Sequence, residues 1–360
     1  MKIKNIACLL SFLLVGMTAC NKKVEITEFT TIKGEKVEKA ALESLAEEVD
    51  IIPLETTPAC RIRQVSDLLT DEGIYFIKDA HQRVLAFDDT GKFLGKMGDC
   101  ANVSRMFLNK EAKTLNLICN NERELLELTY QGEQVRREPL RRELRRASKI
   151  VLTSAGDTVV AYNSPMILEL GGHEYKVFGK TKSADLCQHE LTSISLMSVS
   201  SVRPLSVYGD RALMATIFSD TIYRWKEGQF VPLIRYEGEQ PFVNGYEIKK
   251  KYRGARQEEI RKALAASGKN LELTNLIETD RFLIVCANPY LATIWDKADE
   301  EGVSFTFVQS EDMQISSGLA TAQYVGGNTI MVLGRPEKES NNPTIQLYHL
   351  DTDLVDNLKE

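Results

Sequence analysis

A unit of four short apolar strands, repeated along the chain, constrains this sequence more than any other feature. The clearest copy runs from Arg61 to Gly98. It holds Ile62–Leu69, Gly73–Ile77, Arg83–Phe87 and Lys92–Met97, β-branched and aromatic runs separated by turn residues. Asp88-Asp89-Thr90-Gly91 is a hairpin signal between the third and fourth runs, because Asp closes the turn with its side chain and Gly accepts a positive φ. The pattern recurs at Thr114–Cys119 with Glu124–Tyr130, at Asp157–Tyr162 with Met166–Leu170 and Tyr175–Gly179, and at Arg211–Phe218 with Thr221–Trp225 and Phe230–Tyr236. Arg281–Ala287 with Ala292–Trp295, and Thr329–Leu333 with Thr344–Leu350, complete six units. Third-strand aromatics Phe87, Tyr130, Tyr223, Trp295 and Tyr348 mark the phase. The first two stand 43 positions apart, a propeller-blade period.

The reading is all-β: a six-bladed β-propeller over residues 49–360, with a two-sheet sandwich or several small domains as the competing folds. The last unit has only a weak fourth strand in Asp351–Glu360, whereas Val49–Leu54 is a strand without a unit. That segment is expected to supply the outer strand of the last blade and close the ring, which removes open sheet edges. Pro53 fits there because an outermost strand has one unpaired side.

Asp50-Ile-Ile-Pro-Leu-Glu-Thr-Thr57, Ala86-Phe-Asp-Asp-Thr-Gly-Lys-Phe-Leu94 and Phe218-Ser-Asp-Thr-Ile-Tyr-Arg224 resemble stretches of the six-bladed β-propeller lipoproteins of Bacteroides and its relatives. The architecture is also similar to that of NHL-type propellers. The resemblance implies fold and envelope location and carries no catalytic residues, since one fold hosts many functions.

The N-terminus agrees with that location. Lys2 and Lys4 precede the apolar run Ile6–Val15, too short to span a bilayer, and Met17-Thr18-Ala19-Cys20 resembles a bacterial lipobox. Residues 1–19 are thus expected as a signal peptide, Cys20 as the lipidated residue and 20–48 as a lipid-anchored linker. Asn21 is not the Asp that favours inner-membrane retention, so the outer membrane is expected, with its face left open. Removing residues 1–19 takes two lysines from a chain of net charge −6, leaving about −8. That acidity, with export, argues against nucleic acid as a partner. Five cysteines remain beyond Cys20, an odd number, and Cys60 with Cys100 is a conceivable bridge.

In a propeller, the loops between second and third strands share one face with the channel mouth. They supply Asp79, His81, Asn120, Asn163, Asp220, Asn288, Tyr290 and Arg335 as the candidate ligand face. Short Asn and Asp side chains there suit a sugar, a peptide backbone or Ca²⁺, although the same residues start ordinary turns. The 244–268 insertion is expected to hold a helix over Glu258–Ala266, either a partial lid over the channel or a helix packed on a blade rim. Arg136, Arg137, Arg141, Arg142, Arg145 and Arg146 form a basic run interleaved with Glu133, Glu138 and Glu143, which favours an ion-paired surface over an anion grip.

The four histidines lack metal-ligand spacing, and there is no nucleophile elbow, phosphate loop or dinucleotide fingerprint. The expectation is therefore an envelope binding protein for a glycan, a peptide or a protein partner, without a cofactor. A Ca²⁺-assisted hydrolase or lyase in the channel mouth is the alternative.

Overall fold

A computed structural model describes residues 25–360, apart from 146, 163–173, 180–182, 187–203, 227, 245–246, 248–249, 253–254, 271, 289–290, 309–317 and 337–340. Three strands precede the repeats: β1 (Thr30–Ile32), β2 (Glu35–Ala41) and β3 (Ala46–Pro53). Blade 1 is β4 (Val65–Asp71), β5 (Ile74–Asp79), β6 (Val84–Phe87) and β7 (Phe93–Lys96). Blade 2 is β8 (Val103–Asn109), β9 (Thr114–Cys119), β10 (Glu124–Thr129) and β11 (Gln134–Pro139). Blade 3 is β12 (Ala147–Leu152), β13 (Thr158–Tyr162), β14 (Tyr175–Phe178) and β15 (Ser183–Leu186). Blade 4 is β16 (Leu205–Tyr208), β17 (Arg211–Ala215), β18 (Thr221–Lys226) and β19 (Gln229–Tyr236). Helix α1 (Gln257–Ala266) follows. Blade 5 is β20 (Asn275–Glu278), β21 (Phe282–Asn288), β22 (Leu291–Asp296) and β23 (Glu301–Val308). Blade 6 is β24 (Gln323–Gly326), β25 (Thr329–Gly334) and β26 (Thr344–Leu350), and α2 (Leu354–Lys359) ends the chain.

The second strand of each blade is covered on both faces by neighbouring blades, so it is mostly apolar and buried. In β6 and β9 every residue is buried. Apolar clusters fill the six junctions between neighbouring blades, those of blades 1 with 2, 2 with 3, 3 with 4, 4 with 5, 5 with 6 and 6 with 1. Six blades with six filled junctions make a closed ring. No helix among the described residues is long and apolar enough to cross a membrane.

Closure uses β3 as expected. It pairs antiparallel with β26, with Pro53 opposite Thr344 and Val49 opposite Tyr348. Gly91 of the first blade's hairpin turn, at φ +81, lies against this strand. A Cβ added to it would stand 2.3 Å from the Pro53 carbonyl oxygen. Gly91→Ala is thus expected to destabilise the fold by about 1–3 kcal/mol, read as a lowered urea midpoint at unchanged slope, because it adds backbone strain to a steric clash.

Three readings need correction. The stretch expected as a linker contains β1, parallel to β19, and β2, parallel to β23, each a fifth strand on its blade. Ile32 is fully buried there, and apolar side chains at this junction outweigh the polarity of the surrounding stretch. Leu354–Lys359 is helical, so the C-terminus does not add a strand to blade 6. Cys100 bonds Cys119, not Cys60. Cys60 is held in the β3–β4 connection, where its thiol donates to the Glu55 carbonyl at 3.1 Å and Cys100 sits one junction away. The closed loop spans 19 positions. Replacing both Cys100 and Cys119 by Ser is expected to cost about 3 kcal/mol, seen as a lower midpoint of thermal unfolding.

Candidate functional site: a cationic channel

The inner strands of blades 1, 2 and 3 carry a common irregularity near their starts. The pairing register shifts between Val65 and Asp67, between Val103 and Arg105, and between Ala147 and Lys149. The residue at each bulge is serine, whose hydroxyl donates to a carbonyl of the second strand. Ser66 donates to Lys78 at 3.0 Å, Ser104 to Ile118 at 3.3 Å and Ser148 to Ala161 at 3.0 Å. The bulge re-aims the following side chain, and all three of Asp67, Arg105 and Lys149 line a central cavity of about 990 Å³.

Arg61 and Arg63 from the β3–β4 connection, Lys78 from β5, and Arg335 after β25 also line it. Among the described residues, six cations thus face one carboxylate, in a protein that is acidic as a whole. The deep cations are steadied by neutral oxygens. Lys149 Nζ donates to the Leu205 carbonyl at 2.8 Å, and Arg105 donates to the carbonyls of Ala147 at 2.8 Å and Ser104 at 2.6 Å. Asn275 and Gln323 bring amides to the same cavity and bond the carbonyls of Leu319, Ala322 and Leu68.

Burial raises the Asp67 pKa above the usual carboxylate value, while Lys78, Lys149 and Arg105 oppose that shift. Burial likewise lowers the pKa values of Lys78 and Lys149, against the pull of Asp67. Lys78 and Lys149 therefore carry uncompensated desolvation, which an anion entering the channel would relieve.

The cavity reaches the face formed by inner-strand starts and second-to-third-strand loops. Most of the individual loop residues do not line it. Asp79 is buried and staples its own loop, accepting from Arg83 Nη2 at 2.7 Å, Nε at 2.8 Å and the backbone N–H at 2.9 Å. His81 is exposed on that loop. Asn120, at φ +52, donates to Glu124 at 2.7 Å, and Asp220 accepts from Arg235 at 3.2 Å. Asn288 ends β21, opposite Leu291. Turn chemistry accounts for Asp79 and Asn120, each of which orders its own hairpin. Arg335 is the one candidate among the described residues that lines the cavity. Asn163 and Tyr290 lie outside the described residues.

Helix α1 forms where the 244–268 insertion suggested. Ile260 and Leu264 are buried against Val243, with Phe218, Tyr252 and Ala255 beside them. No described residue of the insertion lines the channel cavity, and the helix packs beside Phe218 on the rim of blade 4, the second of the two expected placements. Arg136 and Arg137 lie on an exposed outer strand, where Arg136 pairs with Glu127 and Glu138 and Arg137 with Asp99 and Glu124. Arg146 lies outside the described residues.

Sequence reasoning missed Asp67, Arg105 and Lys149. A signal was present: Val65-Ser-Asp67, Val103-Ser-Arg105 and Ala147-Ser-Lys149 place a serine and then a charge at the same point of three successive units.

Comparison with known proteins agrees with the fold. The sequence model of a family described as "Domain of unknown function (DUF4934)" matches residues 28–336. The solved structure of a "Putative exported protein" from Bacteroides fragilis superimposes with a TM-score of 0.68 at 13% identity. The superposition covers 90% of this chain and 100% of that one. A DUF4221-family protein from Bacteroides vulgatus matches with a TM-score of 0.48 at 10% identity, over 85% of this chain and 97% of that one. A search of curated proteins finds no match.

Proposed function

For a chain that belongs to the DUF4934 family and folds as a six-bladed propeller, we propose an exported, lipid-anchored binding protein whose channel takes an anionic ligand. The observation that carries this reading is the set of six cations and one carboxylate that the described residues place around a cavity of about 990 Å³. That volume is at the upper end for compact ligands and suits a short acidic oligosaccharide or the acidic segment of a peptide or envelope protein. Arg61, Arg63 and Arg335 stand at the mouth to meet carboxylate or sulfate groups, while Lys78, Arg105 and Lys149 form the deeper floor. The lipobox-like Met17–Cys20 supports the anchor, and the outer membrane is its proposed location. The same charge pattern disfavours the Ca²⁺-assisted hydrolase or lyase, because a divalent cation in this channel would meet repulsion and a single carboxylate.

The test is calorimetric titration of the soluble protein with a galacturonate trimer, an acidic peptide and a neutral oligosaccharide. Binding of an acidic probe but not the neutral one is expected. A probe at 100 times its Kd should stabilise the fold by about 2.7 kcal/mol. Lys149→Met is expected to weaken that binding at least tenfold, about 1.4 kcal/mol, without lowering the unfolding midpoint, since it removes a desolvated charge. Affinity should rise as pH falls toward the raised pKa of Asp67, whose protonation removes a negative charge from the channel. Equal binding of neutral and acidic probes, or an unchanged affinity in Lys149→Met, would sink the reading.

A further inference from the structure

The first described residue, Glu25, is tied down far from the channel mouth. Its carboxylate pairs with Arg211 and lies 3.9 Å from Lys226 Nζ and 4.0 Å from Arg224 Nη1. Ile26 packs into the junction of blades 4 and 5. Arg211 begins β17 at the β16–β17 hairpin, and Lys226 ends β18 before the turn to β19. Both therefore sit on the face of first-to-second and third-to-fourth strand turns, opposite the cavity mouth. From there the chain climbs the outside of blade 4, where β1 runs parallel to β19 with Ile32 beside Tyr236 at the mouth-side end.

The Glu25 contact is part of a built site. Arg211 is almost wholly buried and also pairs with Glu278, whose carboxylate accepts from Lys297 Nζ at 3.1 Å. A carboxylate docked on such a cation holds the segment in place, because release would leave Arg211 with one partner fewer.

We propose that this docking fixes the orientation of the protein on a lipid surface, with the hairpin-turn face against the bilayer and the channel mouth pointing away. The inference rests on the lipid anchor at Cys20. Cys20 precedes Glu25 by five positions, and five extended residues reach at most about 18 Å. The eight residues of β19 span about 26 Å from turn face to mouth face. A lipid on Cys20 therefore meets the bilayer on the Glu25 side. Lys22 and Lys23, next to the anchor, favour anionic headgroups. A ligand then reaches the channel from the aqueous side without the membrane in its path.

The experiment uses the full chain, processed and lipidated in bacteria, reconstituted into vesicles of phosphatidylethanolamine and phosphatidylglycerol. Asp210→Cys on the turn face and His81→Cys on the mouth face are labelled separately with a fluorophore. Quenching by a spin-labelled headgroup lipid is then measured, with the unsubstituted chain as the labelling blank. Asp210→Cys is expected to be quenched several-fold more than His81→Cys, and Glu25→Gln should shrink that difference. Equal quenching at both positions, or stronger quenching at His81→Cys, would overturn the orientation while leaving the anchor intact. If the unsubstituted chain fails to float with vesicles and Cys20→Ala behaves identically, the anchor itself is refuted and the orientation with it. Acidic-probe binding, measured on the soluble form, is independent of either result.

Discussion

A chain shortened to begin at Glu55 is expected to lose cooperative folding altogether. The truncation removes β3, and with it the outer strand that pairs with β26 from Thr344 to Leu350. It also strips Val49 and Ala46 from the junction of blades 5 and 6, and Ile52 and Leu54 from that of blades 6 and 1. Several buried side chains at about 1.5–3 kcal/mol each, together with the ladder, approach the whole stability of a typical domain, about 5–15 kcal/mol. The bared edge of β26, rich in β-branched and apolar residues, would then template association. The readouts are urea unfolding followed by circular dichroism, and size-exclusion chromatography. A chain beginning at Leu42 separates the causes, since it keeps β3 and loses only the parallel strands β1 and β2. It should remain folded, and a synthetic peptide covering 42–54 should restore the shorter chain. A monomeric Glu55 form with an unshifted unfolding midpoint would show that β3 does not close the ring.

Glu278→Ala is the second large effect, at about 3–5 kcal/mol of lost stability. Glu278, Arg211 and Lys297 have side chains 2%, 4% and 0% exposed, so removing the carboxylate leaves buried Arg211 with Glu25 alone and takes from buried Lys297 its carboxylate partner. Burial already lowers the Lys297 pKa, and Glu278 opposes that shift. In the variant the Lys297 pKa should fall further. A lysine with a folded-state pKa below its unfolded value binds fewer protons when folded, so stability rises with pH from that lowered value up to about 10.5. The variant should therefore recover part of its loss in alkaline solution, over a wider pH window than the parent. Pairing Glu278→Leu with Lys297→Met should restore more than either change alone, because each partner's cost lies in being left unpaired. A midpoint within error of the parent at neutral pH would remove Glu278 from the stabilising network.

Residues visible only in three dimensions also hold the ring. Asn342 reads as one more polar loop residue, yet its side chain accepts from the Ile62 N–H at 2.6 Å and donates to the carbonyls of Glu55 at 2.7 Å and Cys60 at 2.9 Å. It stitches the last blade to the connection entering the first, across some 280 positions of sequence. No local pattern encodes such a partner. The loop residues fared in the opposite way. Asp79 and Asn120 were legible as loop-starting polar residues, and their contacts prove local, with Arg83 and Glu124 four positions on.

The number of blades, the closing role of Val49–Leu54 and the helix around Ile260 and Leu264 were legible in the sequence. Those features rest on local patterning: apolar runs of strand length, turn residues with their own hydrogen bonds, and a spacing that repeats. The tertiary structure alone decided the charge of the channel, the Cys100–Cys119 bond, the parallel strands β1 and β2, and the docking of Glu25 on Arg211. In each of these the partners are brought together by the ring and not by the local chain. Asp67, Arg105 and Lys149 lie on three different blades and converge only because serine bulges aim them at a common axis. A side chain's direction around a closed ring depends on every blade between, and no single repeat carries that information.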